Sequence, residues 1–291
     1  MKISRQGLLR GALAASLVCA VAACAVNPPS SSSAALSSQR IGEIVASPDR
    51  TAADRTNDMR RKPAEMLDFI GIRPGMVALD VSAGGGYTTE LLARSVGPTG
   101  AVYGQSPPRD PNRMAPRPAA PEGGMAAPAP MPPMPAPPRS AGGPLADREA
   151  RLRSANVAAA PIVAVPQRFE DPVPAALANA QLDLVTLMFN YHDLGFLGVD
   201  RAQMNRAIFG ALKPGGIYVI ADHAGRPGTG ISESGTLHRI EEAFLRREVE
   251  SAGFVLASEG SFLRNPADPR DQNTPNPPQP KDEFVLKFVK P

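Results

Sequence analysis

Apolar residues along this chain fall into two alternating patterns. Short apolar runs at about 76–81, 100–104, 161–165, 182–189, 217–221, 254–263 and 283–289 read as strands. Between them lie segments with apolar residues at helical spacing, at about 53–70, 87–95, 147–154, 200–212 and 239–252. Strands alternating with amphipathic helices predict an α/β fold, a doubly wound, mostly parallel seven-stranded sheet of Rossmann-like type. The run Leu182 to Phe189 is almost continuously apolar, as expected of a strand covered on both faces. The last two strands follow one another without an intervening helix, which predicts a C-terminal antiparallel hairpin.

Punctuation sharpens this map. Leu79-Asp80-Val81-Ser82-Ala83-Gly84-Gly85-Gly86-Tyr87 is a strand, a glycine turn and the start of a helix. Glycine is needed where φ is positive or where backbone must lie against a ligand. In an open parallel sheet such a turn sits at the carboxyl end of the strand, where ligands bind. Lys213-Pro214-Gly215-Gly216 stops one helix and opens the fifth strand.

The first 23 residues carry Lys2, Arg5 and Arg10, then an uncharged apolar stretch from Gly11 to Ala23. This is the pattern of a secretory signal, too short for a membrane span. Val21-Ala22-Ala23-Cys24 resembles a bacterial lipobox, so Cys24 is the expected lipid-anchored first residue of an exported lipoprotein at the periplasmic face. Residues 24–47, with Asn27-Pro28-Pro29 and a serine run, read as a flexible tether, and 48–291 as the domain proper. That domain is interrupted at about 106–144 by a Pro/Ala/Met-rich insertion, whose composition predicts disorder.

Removing the signal changes the charge argument. The chain holds 31 basic and 28 acidic residues, and the signal takes three basic ones, leaving 28 against 28. A neutral mature chain gives no footprint for nucleic acid. The expected partners are a small-molecule substrate and, through Cys24, the membrane. Cys19 and Cys24 are the only cysteines, so no disulfide or thiol nucleophile is expected after processing.

Taken in order, Asp80-Val-Ser-Ala-Gly-Gly-Gly86, Leu182-Asp183-Leu-Val185 and Leu212-Lys-Pro-Gly-Gly216 resemble the motifs of class I S-adenosylmethionine-dependent methyltransferases. Asn190-Tyr191-His192-Asp193, Ala221-Asp222-His223, Leu237-His238-Arg239 and Leu263-Arg-Asn-Pro-Ala-Asp268 resemble a family of predicted exported bacterial methyltransferases. The resemblance implies the cofactor S-adenosyl-L-methionine. It implies cofactor contacts from Asp80, Ser82, Gly84, Gly86 and Asn190, with Gln105 toward the ribose and Phe169 and Glu170 toward the adenine. Two positions depart from the family pattern: Ser82 replaces a glycine, and Gln105 stands where an acidic residue is usual.

All three histidines follow the fourth or fifth strand. His192 or His223 is a candidate general base, oriented by Asp193 or Asp222, with Tyr191 near the acceptor and His238 folded over the rim. Asp222, His223 and His192 together are a candidate metal set. Two other functions remain open at this stage: a non-enzymatic binding lipoprotein, and a metal-dependent enzyme using the histidine rim.

Overall fold

The computed structural model describes residues 34–108, 143–275 and 279–291. The expected signal and Cys24, the first part of the tether, and residues 109–142 of the insertion lie outside the described residues.

Three helices precede the sheet: α1 (Ser38–Ala46), α2 (Ala52–Arg61) and α3 (Pro63–Ile70). Ser37 and Thr51 cap α1 and α2, their side-chain oxygens accepting the N–H groups of Arg40 and Asp54. The tether therefore ends earlier than the pattern suggested. Ile41 and Ile44 of α1 are buried, and the Leu36 N–H donates to the Ile72 carbonyl. The single helix expected at 53–70 is two helices. Lys62 between them is left-handed at φ 42°, and Pro63, with no N–H to give, starts the second.

The sheet and its helices follow as β1 (Val77–Val81), α4 (Tyr87–Val96), β2 (Ala101–Ser106), α5 (Gly143–Ser154), β3 (Ile162–Pro166) and β4 (Leu182–Met188). Then come α6 (Asp193–Phe196), α7 (Arg201–Ala211), β5 (Leu212–His223), α8 (Glu242–Glu250), β6 (Val255–Gly260) and β7 (Glu283–Val289). Strand order is β3-β2-β1-β4-β5-β7-β6, and β7 alone runs antiparallel to its neighbours. The fold is the expected α/β class, a seven-stranded, mostly parallel, Rossmann-like sheet with antiparallel C-terminal strands.

Alternation along the strands sorts side chains into two cores. Leu79, Val81, Val185 and Leu187 join the layer that includes residues of α7 and α8, while Ala78, Val102, Leu184 and Val219 join that of α3 and α4. As expected of its apolar run, β4 is buried on both faces along almost its whole length. Reversal of strand order beside β1 leaves a crevice at the carboxyl ends of β1, β2, β4 and β5. Among the described residues no helix is long and apolar enough to cross a membrane.

Candidate active site

The turn from β1 into α4 is held in shape by its neighbours. Ser82, Gly84 and Gly86 have φ of 61°, 51° and 77°. Such values strain a serine, and three bonds offset the strain. The Ser82 N–H donates to Gln105 Oε1 (3.0 Å), its hydroxyl donates to Asn190 Oδ1 (2.7 Å), and the Ala83 N–H donates to the Gln105 carbonyl (2.8 Å). Gly86 has a second reason to be glycine, since a Cβ there would lie 2.6 Å from Leu145 of α5. Outside Gly85 the space is open: a Cβ there would meet nothing within 4 Å. The Gly85 carbonyl accepts Arg148 Nε of α5, so the side of the tip left clear for a ligand is that of the Gly85 Cα.

Asp80 lies beneath the loop and is buried. Its carboxylate accepts the hydroxyls of Thr89 on α4 (2.6 Å) and Thr186, its register partner on β4 (2.8 Å). Burial pushes its pKa up to about 6, against the lowering effect of those two bonds. Asp80 therefore fixes the loop's base to the sheet. Gln105, placed by analogy at the ribose, is also fully buried with both ends of its amide engaged: Nε2 donates to the Gln167 carbonyl at 2.6 Å while Oε1 serves Ser82. Phe169 is packed in the core, and Glu170 pairs with Arg168 at 3.2 Å. Of the expected cofactor residues, Asp80, Ser82, Gly84, Gly86, Gln105 and Asn190 gather at the loop, whereas Phe169 does not stand free as a stacking surface.

Asn190 links this loop to the histidines, its Nδ2 donating to Asp193 Oδ2 at 2.8 Å. His192 sits between two carboxylates, with Nδ1 2.6 Å from Asp222 Oδ1 and Nε2 3.0 Å from Asp193 Oδ1. His238 Nδ1 reaches the same Asp193 oxygen at 2.9 Å. The His192 ring lies 5.2 Å from that of His223 and 5.6 Å from that of His238. The three histidines do form one rim, as their positions after adjacent strands implied. Burial opposes a charge on His192, but Asp222 and Asp193 outweigh it and raise its pKa to about 10. With a carboxylate at each ring nitrogen, His192 is not poised as the free general base expected of it. His223 is buried, with Nδ1 3.0 Å from Glu283 Oε1, an oxygen that also receives Arg60 at 2.6 Å.

Tyr191 departs from expectation. It is buried in the α7/α8 layer, where its hydroxyl donates to Glu248 (3.0 Å) and accepts from Asn205 (2.9 Å). It braces the opposite face of the sheet and does not touch the rim. The metal set Asp222, His223 and His192 is not assembled as such either. Asp222 Oδ2 accepts the His192 N–H, and Oδ1 accepts the His223 N–H as well as facing His192 Nδ1.

Sequence reasoning passed over a cleft beside the loop, lined by Arg61, Met66, Tyr87, Leu91, Met188 and Phe189. The Arg61 guanidinium lies over Phe189 (4.7 Å) and Tyr87 (5.4 Å), and its buried Nε has no hydrogen-bond partner. Burial, aided by Arg60, lowers its pKa to about 10. Neighbouring charges are balanced, Arg60 by Glu283 and Arg50 by two bonds to Asp58. Arg61 has no ion pair among the described residues. The pair Arg60-Arg61 reads in the sequence as the solvated end of a helix. Only the break at Lys62 turns it inward.

Residues 45–106, from the end of α1 through β2, match the family model for protein-L-isoaspartate(D-aspartate) O-methyltransferase. No curated protein matches the sequence. Among solved structures the chain is similar to a SAM-dependent methyltransferase from Aquifex aeolicus, with TM-score 0.51 and 14% identity over 88% of this chain and 100% of that one. A TehB-like SAM-dependent methyltransferase from Corynebacterium glutamicum gives 0.45 and 14% over 82% and 99%. At 14% identity the likeness to the Aquifex aeolicus structure is one of fold alone.

Proposed function

We propose that this chain is an S-adenosylmethionine-dependent methyltransferase of a small molecule, carried as a lipoprotein through Cys24 at the periplasmic face of a bacterial membrane. The observation that supports it most is the glycine loop. It stands at the reversal of strand order, with open space where a Gly85 Cβ would be, within the stretch that matches a methyltransferase family model. When bound, S-adenosylmethionine supplies an electrophilic methyl group. The chain's own part is placement: Asp80 and Gln105 hold the loop, and Gly84 and Gly85 admit the ligand to backbone contact.

The acceptor would occupy the cleft beside the loop. Met66, Leu91, Met188 and Phe189 offer apolar walls that exclude water, and Arg61 offers a cation with no ion pair among the described residues. That combination suits an apolar molecule bearing a carboxylate or similar anion. Calorimetric titration of the purified chain with S-adenosylmethionine and S-adenosylhomocysteine tests the reading. Saturable binding of both is expected, and no heat from either at millimolar concentration would overturn it.

The buried, fully bonded Gln105 favours a second reading, a binding lipoprotein that uses the scaffold without turnover. Binding of the two nucleosides, with no methyl transfer to any apolar acid in a labelled-methyl screen, would select it.

A further inference from the structure

We propose that His192 Nε2, Asp193 Oδ1 and His238 Nδ1 form a site for a divalent transition ion of the Zn2+ class. These residues come from the start of α6 and the loop before α8, and one ligand atom from each lies within 4.8 Å of those of the other two. Two imidazoles and one carboxylate are a donor set that Zn2+ accepts, leaving a fourth position open. Ligands about 2.0–2.1 Å from a tetrahedral ion stand about 3.3 Å apart. The two spacings about Asp193 Oδ1, 3.0 and 2.9 Å, need to open by only a few tenths of an ångström.

The supporting contacts are those that orient metal ligands. Asp222 holds His192 Nδ1 at 2.6 Å, the carboxylate–histidine arrangement that presents Nε2 to an ion. Asn190 holds the second oxygen of Asp193 at 2.8 Å and leaves Oδ1 to the cluster. Exposure runs in the right order: His192 is buried, while Asp193 and His238 are part-exposed, so the open position faces the accessible side. On the methyltransferase reading, that position suits an acceptor hydroxyl or thiol, which a bound cation makes more acidic.

The test needs no cofactor. After dialysis against a chelator, the purified chain is titrated with ZnCl2 by calorimetry and with Co2+ by visible absorption. One equivalent of Zn2+ is expected to bind, with Co2+ giving the intense d–d bands of a tetrahedral site. His238→Asn keeps a residue tolerant of the local φ of 50° and should lower the affinity at least about tenfold and abolish those bands. Asp193→Asn should do the same. Absence of a stoichiometric Zn2+ site in the parent chain, or unchanged affinity in His238→Asn, would overturn the proposal whether or not S-adenosylmethionine binds. If Asp193→Asn fails to fold, His238→Asn decides alone.

Discussion

Asp222 grips His192 twice: Oδ1 lies 2.6 Å from the ring Nδ1, and Oδ2 accepts the backbone N–H at 2.8 Å. Oδ1 also accepts the N–H of His223, so one buried carboxylate ties the end of β5 to the loop after β4. Replacing it with alanine leaves two buried N–H groups and a ring without their acceptor. Asp222→Ala is expected to cost about 3–5 kcal/mol, as for breaking a buried pair. Urea unfolding measures it, and a loss below about 1 kcal/mol would show that water or a rearranged neighbour serves these donors.

Asp80 makes stability depend on pH in the sense opposite to most carboxylates. Its folded pKa, near 6, exceeds the unfolded value of about 3.9. The folded state therefore binds the extra proton, and this contribution is fully present below about pH 4 and lost as pH rises through 6. Two units correspond to at most about 3 kcal/mol. Asp80→Asn removes the dependence, so the variant should compare better with the parent at pH 7.5 than at pH 4.5. Denaturant midpoints at the two pH values check it; an equal difference at both would refute the raised pKa.

Two adjacent glycines should separate folding from ligand binding. Gly86→Ala places a methyl against Leu145 and Arg148 at φ 77° and should cost about 2–3 kcal/mol. Gly85→Ala meets no atom within 4 Å and should leave the melting temperature unchanged while weakening S-adenosylmethionine at least about tenfold. Thermal melts and titrations on both variants read the two effects separately.

Restoring the usual acidic residue at position 105 should do harm. Gln105→Glu turns a carboxylate oxygen on the Gln167 carbonyl, where an amide N–H now donates at 2.6 Å. A buried acceptor facing an acceptor costs about 1–3 kcal/mol. The variant should be less stable and bind S-adenosylmethionine no better; tighter binding would mean that the side chain swings out to the ligand.

Much of this fold was legible because buried parallel strands read as apolar runs and the turns between them carry glycine. The glycine loop was visible for the same reason. Less visible was anything that depends on which way a side chain points. Tyr191 and His192 are neighbours in the chain, yet one braces α7 and α8 and the other centres the histidine rim. Phe189, at φ 59°, interrupts the strand's alternation just before them, and no periodicity argument anticipates that. Gln105 was recognised by position, but its partners, Ser82 and Gln167, come from two other loops. The left-handed Lys62 had one signal, the following proline, and it brings Arg61 into the cleft.

The placement of β7 has a consequence for how the molecule comes into being. It lies between β5 and β6, although β6 precedes it in the chain, and it carries Glu283, the partner of both Arg60 and His223. While the chain is being made, β5 must wait with one edge unpaired, and the rim lacks an acid until residue 283 arrives. A nascent chain therefore has its glycine loop long before it has the finished rim. The assembled site is a property of the completed chain alone.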